Sequence, residues 1–407
     1  MIATHPVTDR SGAKVTRLAW LDALRGIGAM AVVAEHALPW LMPSLRPYWF
    51  SLGMYGVLVF FLVSGYIIPA SLENRGDVGA FWVSRVFRLY PLYLLVIAAV
   101  LVMAFWVPVR QEVPRHASAV AAHVSMLLDV VHTGALADPM WTLSYEMVFY
   151  LLVTALFVGG VHRRSGTLAI AFGAVAVAAG LVLSAPLLPG PWPAVAACVL
   201  FLAGLACLIT GRFRTVAAYA LGLMALVLLV FGSFVPWFGA AILAVMFTGT
   251  ALYRWERGTG GLGPVVAAAA LVAAAPVWSI QAGWWWVQPD VWITTIVLAG
   301  GTFALGMVLR GRRVPGVLTW LGLISYSVYL VHHPLLKYLN ALAGDLRSLT
   351  PTGQAAVALG YLVALLTLSW LTYRFVEAPA QALGRRITRR RSSSPSSPTG
   401  RDIPVPG

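Results

Sequence analysis

LAWLDALRGIGAMAVVAEHALPW, residues 18–40, decides how the rest of the chain is read. The stretch is apolar over a bilayer-spanning length, yet it carries Asp22, Arg25, Glu35 and His36. About 20 apolar residues in a helix cross the roughly 30 Å hydrocarbon core of a membrane. Arg25 and His36 are eleven residues apart. At about 100° per residue, eleven steps make almost a whole number of turns, so both side chains project from one face, roughly 16 Å apart along the axis. A cation near one interface and an imidazole deep in the membrane, aligned on one stripe, cost too much in hydrocarbon to be without a function. Asp22, three residues before Arg25, is placed to pair with it.

The rest of the chain repeats this apolar character. Of its 407 residues, 60% are apolar and 10% charged, where a soluble domain carries about a quarter charged. Apolar runs lie near 18–41, 51–70, 86–108, 140–161, 167–185, 193–210, 215–231, 236–253, 263–280, 291–309, 317–339 and 354–376. Several approach the lower limit of about 17 residues for a span. The expected fold is therefore an all-α polytopic bundle of about 10–12 transmembrane helices. The first apolar run has no small-residue cleavage site and reads as a retained span rather than a signal peptide. Three segments follow: a cytoplasmic stretch at 1–17, a membrane domain at 18–380, and a basic, Ser/Pro-rich tail at 381–407 expected to be disordered. The stretch 109–139, with three histidines, reads as a polar external loop with an interfacial helix.

The net charge of +14 does not indicate nucleic acid, because the cations sit at helix ends. With twelve spans and a cytoplasmic N-terminus, only Arg46, Arg110, Arg115, Lys337 and Arg347 of the 28 Lys and Arg fall outside. This is the asymmetry of the positive-inside rule, so both termini are expected in the cytoplasm and the chain in the plasma membrane as a multi-pass protein. The arginines of the tail suit anionic lipid. Lysine is confined to Lys14 and Lys337 while Ala, Val, Gly and Arg abound, as in a GC-rich bacterium. Cys198 and Cys207 share one apolar segment, which speaks against a disulfide framework or a CxxC metal site, and no bound metal is expected.

Four further segments carry chemistry. In FWVSRVFRLYPLYLL, Arg85 and Arg88 are i,i+3 neighbours at the cytoplasmic start of the third span. A lone RxxR is ordinarily positive flanking, but paired guanidinium groups suit a phosphorylated ligand, since each binds phosphate in a bidentate way. In ADPMWTLSYEMVFYLL, Asp138 is a plausible N-cap with Pro139 at the first helical position, and Glu146 follows about two turns in. By this topology Glu146 and His36 reach similar depths, and a carboxylate beside a histidine makes a general base. In LTWLGLISYSVYLVHHPLL, Tyr326, Tyr329 and His333 share a face, and His332 points about 100° away. GWWWVQPD, residues 283–290, reads as an outer aromatic belt able to line an acceptor site.

Together these segments resemble the acyltransferase 3 family of integral membrane acyltransferases. The resemblance covers about residues 18–380 and rests on six ordered marks: LDALRGIGAMAVVAEH, VFFLVSGYIIP, RVFRLYPLY, WTLSYE, ISYSVYLVHHP and RFVEAP. It implies transfer of an acyl group, often acetyl, from cytoplasmic acyl-CoA as co-substrate, with no permanently bound cofactor. The implied acceptor is a hydroxyl of a glycan, a lipid-linked sugar or a secondary metabolite such as a macrolide. It implies His36 as catalytic base, Arg25 as its motif partner, Arg85 and Arg88 as donor-phosphate contacts, and Glu146 as the acidic residue of the tryptophan-led motif. Trp141, Ser144, Tyr326, Tyr329, His332 and His333 are carried as substrate- or site-lining positions. The family places its late histidine at His332, whereas helical geometry favours His333, and the choice stays open at this point. Oligomeric state is not readable. The alternative function, a secondary transporter of a small anionic or glycosylated solute, fits twelve spans and buried charges, but the chain shows no repeat at half length.

Overall fold

The computed structural model describes residues 18–107, 116–188, 190–233, 235–279 and 283–392. Among these the chain is helical, with no strand. Fifteen α-helices follow in order: α1 (Ala19–Leu41), α2 (Leu52–Arg75), α3 (Val78–Met103), α4 (Ala117–Ser125), α5 (Trp141–Val158), α6 (Ser165–Val182), α7 (Trp192–Thr210), α8 (Arg214–Val227), α9 (Pro236–Glu256), α10 (Gly263–Ala274), α11 (Pro289–Val308), α12 (Gly316–Leu323), α13 (Ser325–Ala343), α14 (Pro351–Thr372) and α15 (Ala378–Ser392). Among the described residues, each of the twelve expected apolar runs holds helix, the run 317–339 being divided between α12 and α13. Among the described residues, nine helical stretches are long and apolar enough to cross a membrane. The protein is a multi-pass membrane helical bundle. Helix α1 falls outside those nine because of the charges that made it informative, α10 because it is short, and α13 because it is polar.

Helices α1, α2, α5 and α9 make the centre of the bundle. Small residues let their backbones touch, as membrane helix pairs require. A Cβ on Gly65 of α2 would stand 1.8 Å from the Met246 carbonyl oxygen of α9, and one on Gly56 would stand 2.3 Å from the Gly28 oxygen of α1. These crossings clamp α2 between α1 and α9. At one end of the bundle Arg254 of α9 pairs with Glu73 of α2 and donates to the His162 carbonyl at 3.0 Å, and Arg310 pairs with Glu256 at 2.8 Å.

Two stretches depart from expectation. The segment after the third span is not a polar loop. Among its described residues, α4 and two 3-10 turns fold into the bundle, and Met126, Leu127, Leu128, Val130 and Val131 are almost wholly enclosed. The run MLLDVV is too short to span but long enough to fill a gap between helices. The tail expected to be disordered from residue 381 is instead helical to Ser392. Gly384 allows that helix to lie on Phe87 of α3, where an added Cβ would come within 2.8 Å of the ring-bearing side chain. Residues 1–17 and 393–407 lie outside the described residues.

Candidate active site

Helix α1 carries the two residues that opened the sequence reading into two different cavities. The outer one has a volume of about 670 Å³ and is lined by His36, Glu35, Trp141, Tyr329 and His333, among others. That lies in the range of small-molecule sites, about 300–1,000 Å³. The inner one is about 60 Å³ and is lined by Arg25, Arg88, Glu146, Tyr326 and Tyr329, room for about two waters. The eleven-residue spacing therefore does what its geometry implied: one stripe of α1 faces both.

In the outer cavity, His36 Nδ1 lies 2.9 Å from the Val32 carbonyl oxygen and 3.2 Å from His332 Nε2. His333 lies beside both rings, edge-on to that of His36 at 5.4 Å, with its Nε2 3.2 Å from Asp138 Oδ2. Both late histidines are therefore at the site, with different contacts. Asp138 does not cap α5; it opens a 3-10 turn (Asp138–Met140) ahead of it and turns its carboxylate to His333. Glu35 accepts from Arg46 at 2.8 Å and from the Gly53 amide at 3.0 Å, which ties the end of α1 to the start of α2. Trp284 and Trp286 stack with centroids 5.0 Å apart, and both line the cavity. Arg46 lies over the Trp285 ring at 4.9 Å. The aromatic run at 283–290 is thus part of the cavity wall.

The inner cavity is cationic. Arg88 reaches it from α3, Arg25 from α1, and Glu146 from α5, whose carboxylate accepts from the Tyr150 hydroxyl. Glu146 lines this cavity and not the outer one, so the fold does not bring it to His36. The rings that meet His36 are those of His332 and His333, and His332 is the one within hydrogen-bond distance of it. Arg85, paired with Arg88 in the sequence, is buried and turned elsewhere, its guanidinium 5.1 Å from the Phe81 ring centroid and 5.3 Å from that of Tyr150. The i,i+3 offset is about 60° short of a full turn, enough to send the two arginines to different neighbours. Tyr326 donates to the Leu89 carbonyl at 2.9 Å.

Tyr329 stands between the cavities and lines both. Its hydroxyl donates to the Pro139 carbonyl at 2.8 Å and sits 2.8 Å from Thr142 Oγ1. Trp141 lines the outer cavity and packs on Phe238 at 5.5 Å. Ser144 lines neither cavity; its buried hydroxyl accepts the Asp129 amide at 3.0 Å. Glu377 accepts from the Ser327 hydroxyl, where α14 widens into a π turn (Tyr373–Glu377).

Sequence reasoning passed over Asp129, which lines the outer cavity and accepts from Tyr145. Its signal was present: a single carboxylate inside the apolar run MLLDVV. Among the described residues, no group of three or more His, Cys, Asp or Glu is placed to hold a metal ion.

A cation-lined pocket and an imidazole-lined pocket meeting at Tyr329 and Val57 suit group transfer, and comparison with known proteins agrees. The profile of an acyltransferase domain, that of the acyltransferase 3 type, matches residues 18–374. The chain belongs to the acyltransferase 3 family. It is 27% identical to the acyltransferase MdmB of Streptomyces mycarofaciens over 404 residues, 92% of this chain and 94% of that one. The O-acetyltransferase OatA of Staphylococcus aureus is 28% identical over 160 residues, 35% of this chain and 25% of its own length. The peptidoglycan O-acetyltransferase OatA of Listeria monocytogenes is 28% identical over 149 residues, 32% of this chain and 23% of its own. No solved structure matches. The protein is an O-acyltransferase, which decides against the transporter.

Proposed function

We propose that this enzyme moves an acyl group, acetyl first among candidates, from cytoplasmic acyl-CoA across the bundle to a hydroxyl acceptor held in the outer cavity. The observation that carries the reading is the continuity of one face of α1, with Arg25 in the inner cavity and His36 in the outer. Arg25 and Arg88 give the inner cavity the charge that attracts an anionic donor. Arg85 contributes to donor binding through the buried start of α3 and not from the cavity wall. The thioester arm widens the inner space and brings its carbonyl to the Tyr329 partition. The acceptor enters from the other side. Stacked Trp284 and Trp286 offer an apolar platform for the face of a sugar ring, and Glu35, Asp129 and Asp138 offer acceptors for its hydroxyls. A glycan, a lipid-linked sugar and a glycosylated macrolide all present such a ring.

The chemistry is general base catalysis. His36 takes the acceptor hydroxyl proton as the oxygen attacks the thioester carbon; the C–S bond breaks, and the proton passes to the departing thiolate. Arg25 and Arg88 hold the donor while this happens, and Glu146 balances their charge. The enzyme works in the plasma membrane with both termini in the cytoplasm, the orientation that puts most of its arginines inside.

The test uses inside-out membrane vesicles from a strain expressing the protein, supplied with radiolabelled acetyl-CoA. Label should appear in alkali-labile esters. His36→Ala, expressed to the same level, should lose about 10²–10⁴-fold of that transfer. Near-full transfer by the variant would sink the mechanism.

A further inference from the structure

The hydrogen positions on two histidines follow from what surrounds them. A neutral imidazole holds one hydrogen, on one of its two nitrogens. His332 Nδ1 lies 2.7 Å from the Tyr329 carbonyl oxygen and 3.2 Å from that of Val328. Carbonyls only accept, so the hydrogen of His332 is on Nδ1 and its Nε2 offers a lone pair. His36 Nδ1 faces that lone pair at 3.2 Å and the Val32 carbonyl at 2.9 Å. Two acceptors require a donor, so the hydrogen of His36 is also on Nδ1. The two assignments are made from different carbonyls on different helices, and they fit each other. What remains on His36 is Nε2, with a lone pair and, among the described residues, no hydrogen-bond partner.

His332 is well placed to enforce this. It has no exposed surface, and its own carbonyl accepts the Tyr361 hydroxyl at 2.9 Å, which ties α13 to α14. His333 does not share the role: its Nε2 is taken up with Asp138, and it meets His36 ring edge to ring.

We infer that His332 is a positioning residue of the transfer reaction: it holds His36 in the Nδ1–H form and so delivers Nε2 as the basic atom. This rests on His36 being the base. As Nε2 takes the acceptor proton, His36 becomes an imidazolium, and its Nδ1–H bond to His332 strengthens and spreads the charge. When Nε2 gives the proton to the thiolate, the pair returns to its starting form. An outer partner that fixes a catalytic imidazole's tautomer is a known source of rate. Here the partner is a neutral ring, so the arrangement needs no buried carboxylate beside the base.

The test has two arms. In the first, full-length protein labelled with ¹⁵N-histidine is placed in phosphatidylcholine nanodiscs at pH 8, without substrate. The His36 signals, identified by their loss in His36→Gln, should show the hydrogen on Nδ1. In His332→Leu, a fraction of His36 should move to the Nε2–H form. In the second arm, CoA release from acetyl-CoA is followed with an N-acetylglucosamine tetrasaccharide as acceptor, water taking its place in the control. His332→Leu should lower kcat about ten- to a hundred-fold, with the KM for acetyl-CoA unchanged, because the Val32 carbonyl still holds part of the population. His332→Gln, whose Oε1 reaches the place of Nε2 as an acceptor, should recover most of the loss.

A hydrogen on Nε2 of His36 in the native protein would overturn the inference, and this reading needs no variant to fold. So would equal rates in His332→Leu and the native protein, or equal losses in the Leu and Gln variants. If His36→Ala transfers normally while the spectra show the expected form, it is the base assignment that fails, and the two failures are told apart.

Discussion

The two cavities are neighbours that share Tyr329 and Val57 in their walls, yet they are built in opposite ways. The inner one is tight and walled by spanning helices, and its charges come from Arg25, Arg88 and Glu146. The outer one is about tenfold larger, and much of its wall comes from connecting segments: the stretch around Asp129, the turn at Asp138 and the tryptophans ahead of α11. Spanning helices fix a few charges at set depths, which suits a donor of constant chemistry. Connecting segments change easily while the scaffold stays, which suits an acceptor that differs from one family member to the next. Helices α1, α2, α5 and α13 contribute to both, and α1 places Arg25 in one cavity and His36 in the other.

If that division of labour is right, single substitutions should separate donor from acceptor effects. The largest effect after loss of His36 is expected from Arg88→Gln. Removing one charged hydrogen-bonding group costs about 1.5–3 kcal/mol, so the KM for acetyl-CoA should rise about ten- to a hundred-fold. The acceptor KM should stay where it was. Steady-state kinetics with each substrate varied in turn would read this. A matched rise in both KM values would break the division.

The converse experiment is Trp286→Ala. Its indole stacks on Trp284 and touches Phe238 edge-on at 5.3 Å. An aromatic contact of this kind contributes about 0.5–1.5 kcal/mol beyond area burial. The acceptor KM should rise about three- to tenfold while the acetyl-CoA KM is unchanged. If the variant alters only the donor KM, the tryptophan platform has been placed on the wrong substrate.

The two cavities also differ in how far the sequence revealed them. Every spanning helix was legible, because long apolar runs admit few alternatives in a bilayer. Arg25, Arg88 and His36 were legible for a related reason: a polar group inside such a run stands out against it. What α1 meets was not legible. Depth alone paired His36 with Glu146, since both lie part-way through a span, but depth does not report azimuth. The rotation of α5 sends Glu146 inward, and α13 brings His332 to His36 instead. The connecting segments were the least legible part. The residues after the third span looked polar because three histidines drew attention from the short apolar run MLLDVV between them, and short runs carry no period by which to judge burial. The C-terminal helix was missed because its arginines hid Gly384, the residue that allows it to pack on Phe87.

Asp129, from the region the sequence concealed, supports the smallest prediction. It lies outside the spanning helices, in a 3-10 turn (Asp129–Val131), with its amide held by Ser144 at 3.0 Å. Burial pushes its carboxyl from the usual 3.8 up to about 6, and the Tyr145 hydroxyl, donating to it, offsets part of that shift. The folded state therefore holds this proton more tightly than the unfolded chain. Stability from the group is fully present below pH 3.8 and is lost as pH rises through about 6. The melting temperature of the native protein should thus rise, relative to Asp129→Asn, as pH is lowered from 7 toward 5. Above pH 7 the two curves should run parallel, because the carboxyl is ionised in both states. Thermal unfolding in nanodiscs across this range measures the difference directly. If the gap between the two proteins stays constant from pH 7 to 5, Asp129 titrates like an ordinary surface carboxylate and the loop at the outer cavity is wetter than its packing implies. If the gap opens as expected, the outer wall carries a carboxyl that is part-protonated near neutral pH, able to donate as well as accept a hydrogen bond toward an acceptor hydroxyl, which the inner cavity with its paired charges does not offer.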